Sequence, residues 1–592
     1  MKIYSLLSFL LAAILLIYSN LGYYPKYNKP YAEATIGWDV SGYYWYLPAT
    51  FIYKDVKKLA FADTILNKYA PTPNYQQAFL HPKSQNYVMK YPCGLALQML
   101  PAFLVADYLA LPLGYERDGF SLPYQLAIQL NGLFWALLSL WLLRQLLLYY
   151  YEDRHAAAVI FLYVAGSNYL NYAGIDTAMT HNYLFGWYVI LMLKSRDFYQ
   201  YPDFKNATFI GLIVGILALT RPTELIAALI PLLWGVDNLE HFKQRIGFIF
   251  NNLNKYIVAI FCTALIGSLQ LFYWKYAAGD WIVYSYQEQG FTWKRPHVWD
   301  YTFSYRSGWL LYSPMLIFAV LGLIPLFFQR RANVWAVILF SLLNYYIVCA
   351  WDIWWYGGRA MVQSYAVWAF ALAALLVWLE KYKWLNRGFY LLAAVFIYYN
   401  IWLTHQWHKG RVYDGSDVSA KYFWATLGRW TVPLEYKKML DTDEFYYQNL
   451  DNLAVVYAND FEQDSSLNLA TLQPINGQRS EYLNAEKMRT IDYNFALRTD
   501  KKWLRAEAVF AQPQKEWTWY DMAQFIVRFT HKGKIIKEKF IRPARLINDG
   551  ETKPLFFDVK IPETTFDSVS IHFWNTQSRK MLIIDDLKVA VF

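Results

Sequence analysis

The chain has 592 residues, of which 56% are hydrophobic, 20% aromatic and only 17% charged, and its formal net charge is +10. Apolar runs recur through its first two thirds at close to the ~20 residues a helix needs to cross a bilayer, which excludes an ordinary soluble globule. The positive charge does not mark a nucleic-acid binder: residues 404–592 carry 26 Lys and Arg against 25 Asp and Glu, and the excess, 29 against 20, falls in the first part, between apolar runs, as the bias of cytoplasmic loops toward Lys and Arg requires.

The opening segment, MKIYSLLSFLLAAILLIYSN, starts basic, stays apolar and has no clean small-x-small cleavage site after it, so it reads as a retained anchor. With it, eleven spans are expected, at 3–20, 121–143, 155–173, 181–194, 207–220, 223–236, 255–276, 309–328, 332–350, 362–380 and 386–403. The apolar run 93–114 carries Pro101 and Asp107, both costly in lipid. Counting it as a crossing would turn five basic loops outward, so it is expected as a juxtamembrane or partly inserted helix. In 207–236 the stretch LTRPTEL interrupts the pattern, and the loop charges favour two short spans over one kinked helix. Residues 1–403 thus form a membrane domain with the N-terminus inside and a large first outer loop, 21–120. The other outer loops are 171–182, 276–308 and 351–361. Cys93, Cys262 and Cys349 are far apart in apolar surroundings, which argues against a disulfide framework or a zinc site.

Beyond a polar, Trp-rich connector (404–450) the period changes. Segments such as WLRAEAVFAQ, AQFIVRFTHK and KPLFFDVKI alternate apolar and polar residues between turns, so 451–592 is expected to be an all-β sandwich, jelly-roll-like, outside the membrane. Its closing IIDDLKV resembles the last strand of carbohydrate-binding jelly rolls. Asp585 and Asp586 could hold calcium there, though a solvated turn is the plainer reading, and Trp574 or Trp517 could stack on a sugar or pack in the core.

The stretch TIGWDVSGYYWYLPATF puts one carboxylate, Asp39, among aromatic residues just after the first span. It could be an N-cap of an interfacial helix, or a general base; Glu33 and Asp55 are nearby acids expected to face water. Asp176 lies in the second outer loop, five residues before His181, and either adds a second carboxylate to a site or caps its loop. His181 could contact a donor or acceptor, or cap a helix. Basic residues on an outer surface run against the positive-inside bias and need a reason. Arg306 and Arg359 are the foremost candidates to bind an anionic group such as phosphate, with Arg221 and Lys90 behind them, or they snorkel to lipid headgroups, and Gly357 and Gly358 would let the backbone approach a ligand closely.

These placements, with KYPCGLALQMLPAFL, AMTHNYLF, RSGWLLYSP and WWYGGRAM, resemble the GT-C superfamily of membrane glycosyltransferases over roughly residues 1–430. The resemblance implies a polyprenyl-phosphate-linked sugar donor, a glycan, lipid or protein acceptor in the cell envelope, and a bacterial cytoplasmic membrane with the sandwich on its extracytoplasmic (periplasmic) side. It implies Asp39 and Asp176 as the acids of the site. GWDVSG stands where many members carry DxD, so no cofactor is certain, although Asp39 and Asp176 could hold a divalent cation, Mg or Mn. Single-displacement inversion needs one carboxylate as base and cations to neutralise the departing phosphate, a chemistry that fits a lone Asp39. Two other classes compete. A transporter or flippase for lipid-linked glycans would carry inverted repeats and mid-span polar residues, which the chain lacks, and a glycan-binding receptor without catalysis would leave the loop acids dispensable. No GxSxG or HExxH motif supports a soluble hydrolase.

Overall fold

A computed structural model describes residues 2–72, 77–329, 333–351, 356–410, 412–413, 418–447, 453–463, 473–516, 518 and 520–592. The chain divides into two compact units, Met1–Lys409 and Gly410–Phe592. Residues 410–450, expected to belong to a separate connector, group with the second unit.

The first unit is helical. Its main elements are α1 (Ile3–Ile17), α2 (Trp38–Tyr44), α3 (Gly94–Ala110), α4 (Leu122–Leu147), α5 (Asp153–Gly166), α6 (Thr180–Gln200), α7 (Phe204–Thr220), α8 (Leu253–Ala278), α9 (Met315–Gln329), α10 (Val334–Ala350), α11 (Tyr365–Leu379) and α12 (Lys383–His405). Helical structure accompanies each of the eleven expected spans. Among the described residues, four helices are long and apolar enough to cross a membrane: Ile3–Asn28, Leu122–Leu147, Leu253–Ala278 and Arg359–Leu379. Their surroundings differ. The apolar stretch of Arg359–Leu379 is 89% buried inside the protein, whereas that of Leu253–Ala278 is only 11% buried and turns its side chains outward. So large an apolar face requires an apolar surrounding.

The break expected near residue 221 is real. α7 ends where Arg221 turns extended (φ −146°), and a 3-10 segment, Pro222–Ala228, follows. Pro222 has no N–H to continue the helix and drives the residue before it out of helical conformation. In the 93–114 run, α3 passes through Pro101 without interruption. Asp107 is not stranded within it: Arg117 donates to its two oxygens at 2.8 and 2.6 Å, and the Tyr124 hydroxyl donates at 2.7 Å. A small antiparallel hairpin, β1 (Ala78–Leu80) with β2 (Tyr87–Met89), leads into Lys90 and Tyr91. All three cysteines are free thiols.

The second unit is a two-sheet β-sandwich, built from β3 (Ala454–Asn459), β4 (Glu481–Leu483), β5 (Tyr493–Phe495), β6 (Trp503–Ala511), β7 (Gln524–His531), β8 (Lys534–Ile541), β9 (Thr552–Lys560), β10 (Ser568–Trp574) and β11 (Leu582–Val591). One sheet runs β5-β10-β7-β8 and the other β3-β11-β6-β9, with β4 also on β11, all antiparallel. Alternation builds the core: every second residue of β6 is buried, and Phe510 and Phe557 meet Phe525 of the facing sheet at ring distances of 5.5 and 5.1 Å. The Asp441 side chain is buried against Arg542, at 2.5 Å, and Arg545, which ties residues preceding the strands to the sandwich. Asp585 is also buried, accepting from the Ser480 hydroxyl at 2.7 Å and the Asn476 amide at 3.1 Å, and Asp586 accepts from the Asn476 side chain. Trp574 stands exposed at the end of β10, not in the core, and Trp517 lies outside the described residues.

Candidate functional site

Asp39 is not an N-cap. Gly37 holds that position on α2, with extended backbone (φ −121°), and Asp39 lies in the first turn. Its oxygens are used across the fold: Oδ1 accepts from the Tyr91 hydroxyl at 2.8 Å, and Oδ2 accepts from Arg359 Nη2 at 2.6 Å. About a quarter of each side chain of the pair is exposed, 28% for Asp39 and 25% for Arg359, so the ion pair is reachable from outside. Burial alone would push the Asp39 carboxyl up. The Arg359 guanidinium, the Tyr91 hydroxyl and Lys90 outweigh it and hold the group below the usual carboxylate range.

Local structure fixes this arrangement from three sides. Trp38, just before Asp39, has a left-handed backbone (φ +48°), clamped by its N–H on Pro71 O at 2.9 Å and by Ser41 Oγ and Gln77 Nε2 on its carbonyl. Left-handed backbone costs a bulky side chain about 1–3 kcal/mol and persists only where the surroundings impose it. Gly42 lies under the Tyr91 ring, where a Cβ would come within 2.4 Å of it. On the third side, Gly357 and Gly358 are both left-handed (φ +60° and +62°) and launch Arg359 toward Asp39. Both glycines lie close against neighbouring protein groups. Asn168 Nδ2 donates to Gly357 O and the Tyr301 hydroxyl to Gly358 O, each at 2.8 Å, and a Cβ on Gly358 would lie 2.7 Å from Trp309 Cβ.

Further cations ring the pair. Lys90 Nζ stands 5.5 Å from the Tyr91 ring centroid and 5.9 Å from that of Tyr286; burial lowers its pKa, and Asp39 pulls it back up in part. Arg221 is within electrostatic reach of Tyr43 and Tyr286, the same tyrosines that feel Asp39. Arg221 Nη1 is also 3.5 Å from His181 Nδ1. The buried Glu224 carboxylate accepts from Gln363 Nε2 at 3.1 Å, which orients Gln363 so that its Oε1 accepts from His181 Nδ1 at 2.7 Å. Glu224 thus orients Gln363, and Gln363 holds the His181 ring in place.

Asp176 belongs to a second polar cluster. Lys26 pairs with it at 2.6 Å and Asn171 Nδ2 donates at 3.0 Å. Burial raises its pKa, and Lys26, with help from Asn171, brings it below the ordinary value. His408, 2.5 Å from Asn171 Oδ1, is pushed by burial down to about 4, so Lys26 is the cation at neutral pH. Among the described residues no hydrogen bond or ion pair joins Asp176 to Asp39; Tyr172 lies within electrostatic reach of both Asp176 and Arg359. Arg306 is exposed beside Ser307, whose carbonyl accepts from Gly358 N at 2.9 Å, so it borders the glycine turn. The structure therefore gathers Asp39, Arg359 and Lys90, with Arg221 and His181 adjoining, and places Asp176 and Arg306 at its margins.

Asp39 and Asp176 are each already neutralised by a basic side chain, and among the described residues no three His, Cys, Asp or Glu side chains group to hold a metal. Sequence reasoning passed over Tyr91, Tyr43, Tyr286, Gln363 and Lys26. Only Tyr91 had a signal, its place beside Lys90.

No family model matches the chain, and no curated protein does. Among solved structures, a similar one is the arabinosyltransferase EmbB from Mycobacterium smegmatis, at 10% identity and a TM-score of 0.33, over 83% of this chain and 58% of that one. The chain thus spans less than two thirds of EmbB, and the likeness is slight.

Proposed function

We propose that the protein is an inverting glycosyltransferase of GT-C type, moving a sugar from a polyprenyl-phosphate-linked donor to an acceptor at the extracytoplasmic face of a membrane. The observation that carries this reading is a reachable carboxylate, Asp39, paired with Arg359 and flanked by Lys90, on a chain whose helices require an apolar surrounding. The donor phosphate attracts the same guanidinium. Arg359 binds phosphate through two parallel N–H bonds, and Lys90 and Arg221 add charge. Turning Arg359 to the donor removes the main group that holds the Asp39 carboxyl down, so donor binding raises its basicity where a base is needed. Asp39 then takes the proton of the acceptor hydroxyl, the acceptor oxygen bonds to the anomeric carbon, and the glycosidic C–O bond to phosphate breaks. The polyprenyl phosphate leaves with the electron pair, its charge met by the cations.

Arg359→Lys tests this exchange. Lys keeps the charge and loses the planar fork, so transfer from a polyprenyl-phosphate sugar should fall at least ~tenfold, through KM for the donor as well as kcat. Unchanged kinetics would remove Arg359 from the site.

A further inference from the structure

Twelve residues upstream of Asp39, at Tyr27, the chain begins to wall a separate cavity of about 390 Å³, within the ~300–1,000 Å³ typical of small-ligand sites. Tyr27, Lys29, Tyr31, Lys68, Tyr69 and Gln125 line it. Its walls are already fixed by the protein. Gln125 accepts from Ile36 N at 2.8 Å and donates to Phe120 O at 3.1 Å, Tyr27 N donates to Gln129 Oε1 at 2.6 Å, and the Tyr69 hydroxyl bonds Asp118. Such a cavity meets a ligand without reordering its side chains.

Two observations define the ligand. Tyr31, on the cavity wall, holds a left-handed backbone (φ +56°) while 66% of the residue is exposed. Strained aromatic residues left in the open are not serving the core; flat aromatic faces of this kind stack on the apolar faces of sugar rings. The second is charge. Lys68 is neutralised by Glu116 at 2.7 Å and Asp118 at 3.2 Å, whereas among the described residues Lys29 has no carboxylate partner and rests 4.6 Å above the Tyr24 ring. An ammonium without a carboxylate partner on the wall of an aromatic, amide-lined cavity calls for an anion.

We propose that this cavity binds an acidic saccharide, a sugar bearing a carboxylate or a phosphate, with rings on Tyr31 and the anionic group on Lys29. The wall continues directly into the segment carrying Asp39, which makes the bound saccharide the acceptor; only that role rests on the transfer reading above.

Isothermal titration calorimetry of the full-length protein in detergent tests it, with trigalacturonate, glucose 6-phosphate and neutral maltotriose as probes. At least one acidic probe should bind ~tenfold more tightly than maltotriose, and the better of the two identifies the anion. Lys29→Ala should abolish that preference, and Tyr31→Ala should weaken binding of the acidic probe ~tenfold, both without lowering Tm because the side chains reach solvent. The measurement needs no turnover, so a failed transfer assay leaves it standing and a failed titration leaves the transfer assay standing. No binding of either acidic probe, equal binding of maltotriose, or binding untouched by Lys29→Ala and Tyr31→Ala overturns the proposal.

Discussion

At Asp39 two opposed forces meet: burial favours the protonated acid, and the Arg359 and Tyr91 donors with the Lys90 charge favour the carboxylate. The donors win, so the free protein keeps Asp39 ionised through the neutral range, and its pairing with Arg359 is lost only as pH falls through that depressed value. Lys90 titrates on the other side. Its pKa lies below the ordinary lysine value because it is buried, so it carries its charge below that lowered pKa and loses it as pH rises. If Lys90 helps hold the donor phosphate, donor affinity should decline on the alkaline side, and in Lys90→Arg, whose guanidinium does not titrate there, that decline should vanish. A KM profile against pH for both proteins reads this directly. Gly42 offers a second handle. Gly42→Ala places a methyl group against the Tyr91 ring, which must move off Asp39. The rate should drop several-fold while far-UV circular dichroism stays unchanged.

Among the elements, the turn before Arg359 bears most on the site. Gly358→Ala adds both left-handed strain and a collision with Trp309, and should cost about 1–3 kcal/mol, visible as a lower Tm. Gly388 on α12 is the control: a Cβ there meets nothing within 4 Å, so Gly388→Ala should leave Tm unchanged or raise it slightly. The same turn shows what the sequence could reveal. Asp39, Lys90 and Arg359 each stood out alone, an acid among aromatics and bases on the wrong side of a charge bias. That Asp39 and Arg359 touch was illegible, because 320 residues separate them and helix periodicity carries no partner information. Tyr91, Tyr43 and Tyr286 were hidden for a different reason: in a chain with 52 tyrosines, one more gives no signal. Strands were easier. β6 alternates residue by residue, and a period of two has only one structural explanation. The spans were legible as apolar runs, yet among the described residues only four helices reach crossing length and apolarity. Short helices such as α9 and α10 carry apolar character without that length.

The chain joins a helical unit with outward-facing apolar helices to a β-sandwich. The sandwich has its own aromatic core, centred on Phe525 between Phe557 and Phe573. Residues 410–592 should therefore fold cooperatively when expressed alone, and Phe525→Ala should destabilise that fragment by about 3–5 kcal/mol in urea unfolding. A fragment without a cooperative transition would show that the sandwich core is insufficient. The central claim, however, concerns the helical unit: Asp39 is the base of a glycosyl transfer. The most direct test compares release of polyprenyl phosphate from polyprenyl-phosphate sugars by the full-length protein and by Asp39→Asn in lipid, alongside donor binding. The account predicts a rate at least ~10²-fold lower with donor still bound, because Arg359 is then free to hold the phosphate. An Asp39→Asn protein that transfers sugar at the unaltered rate would contradict it.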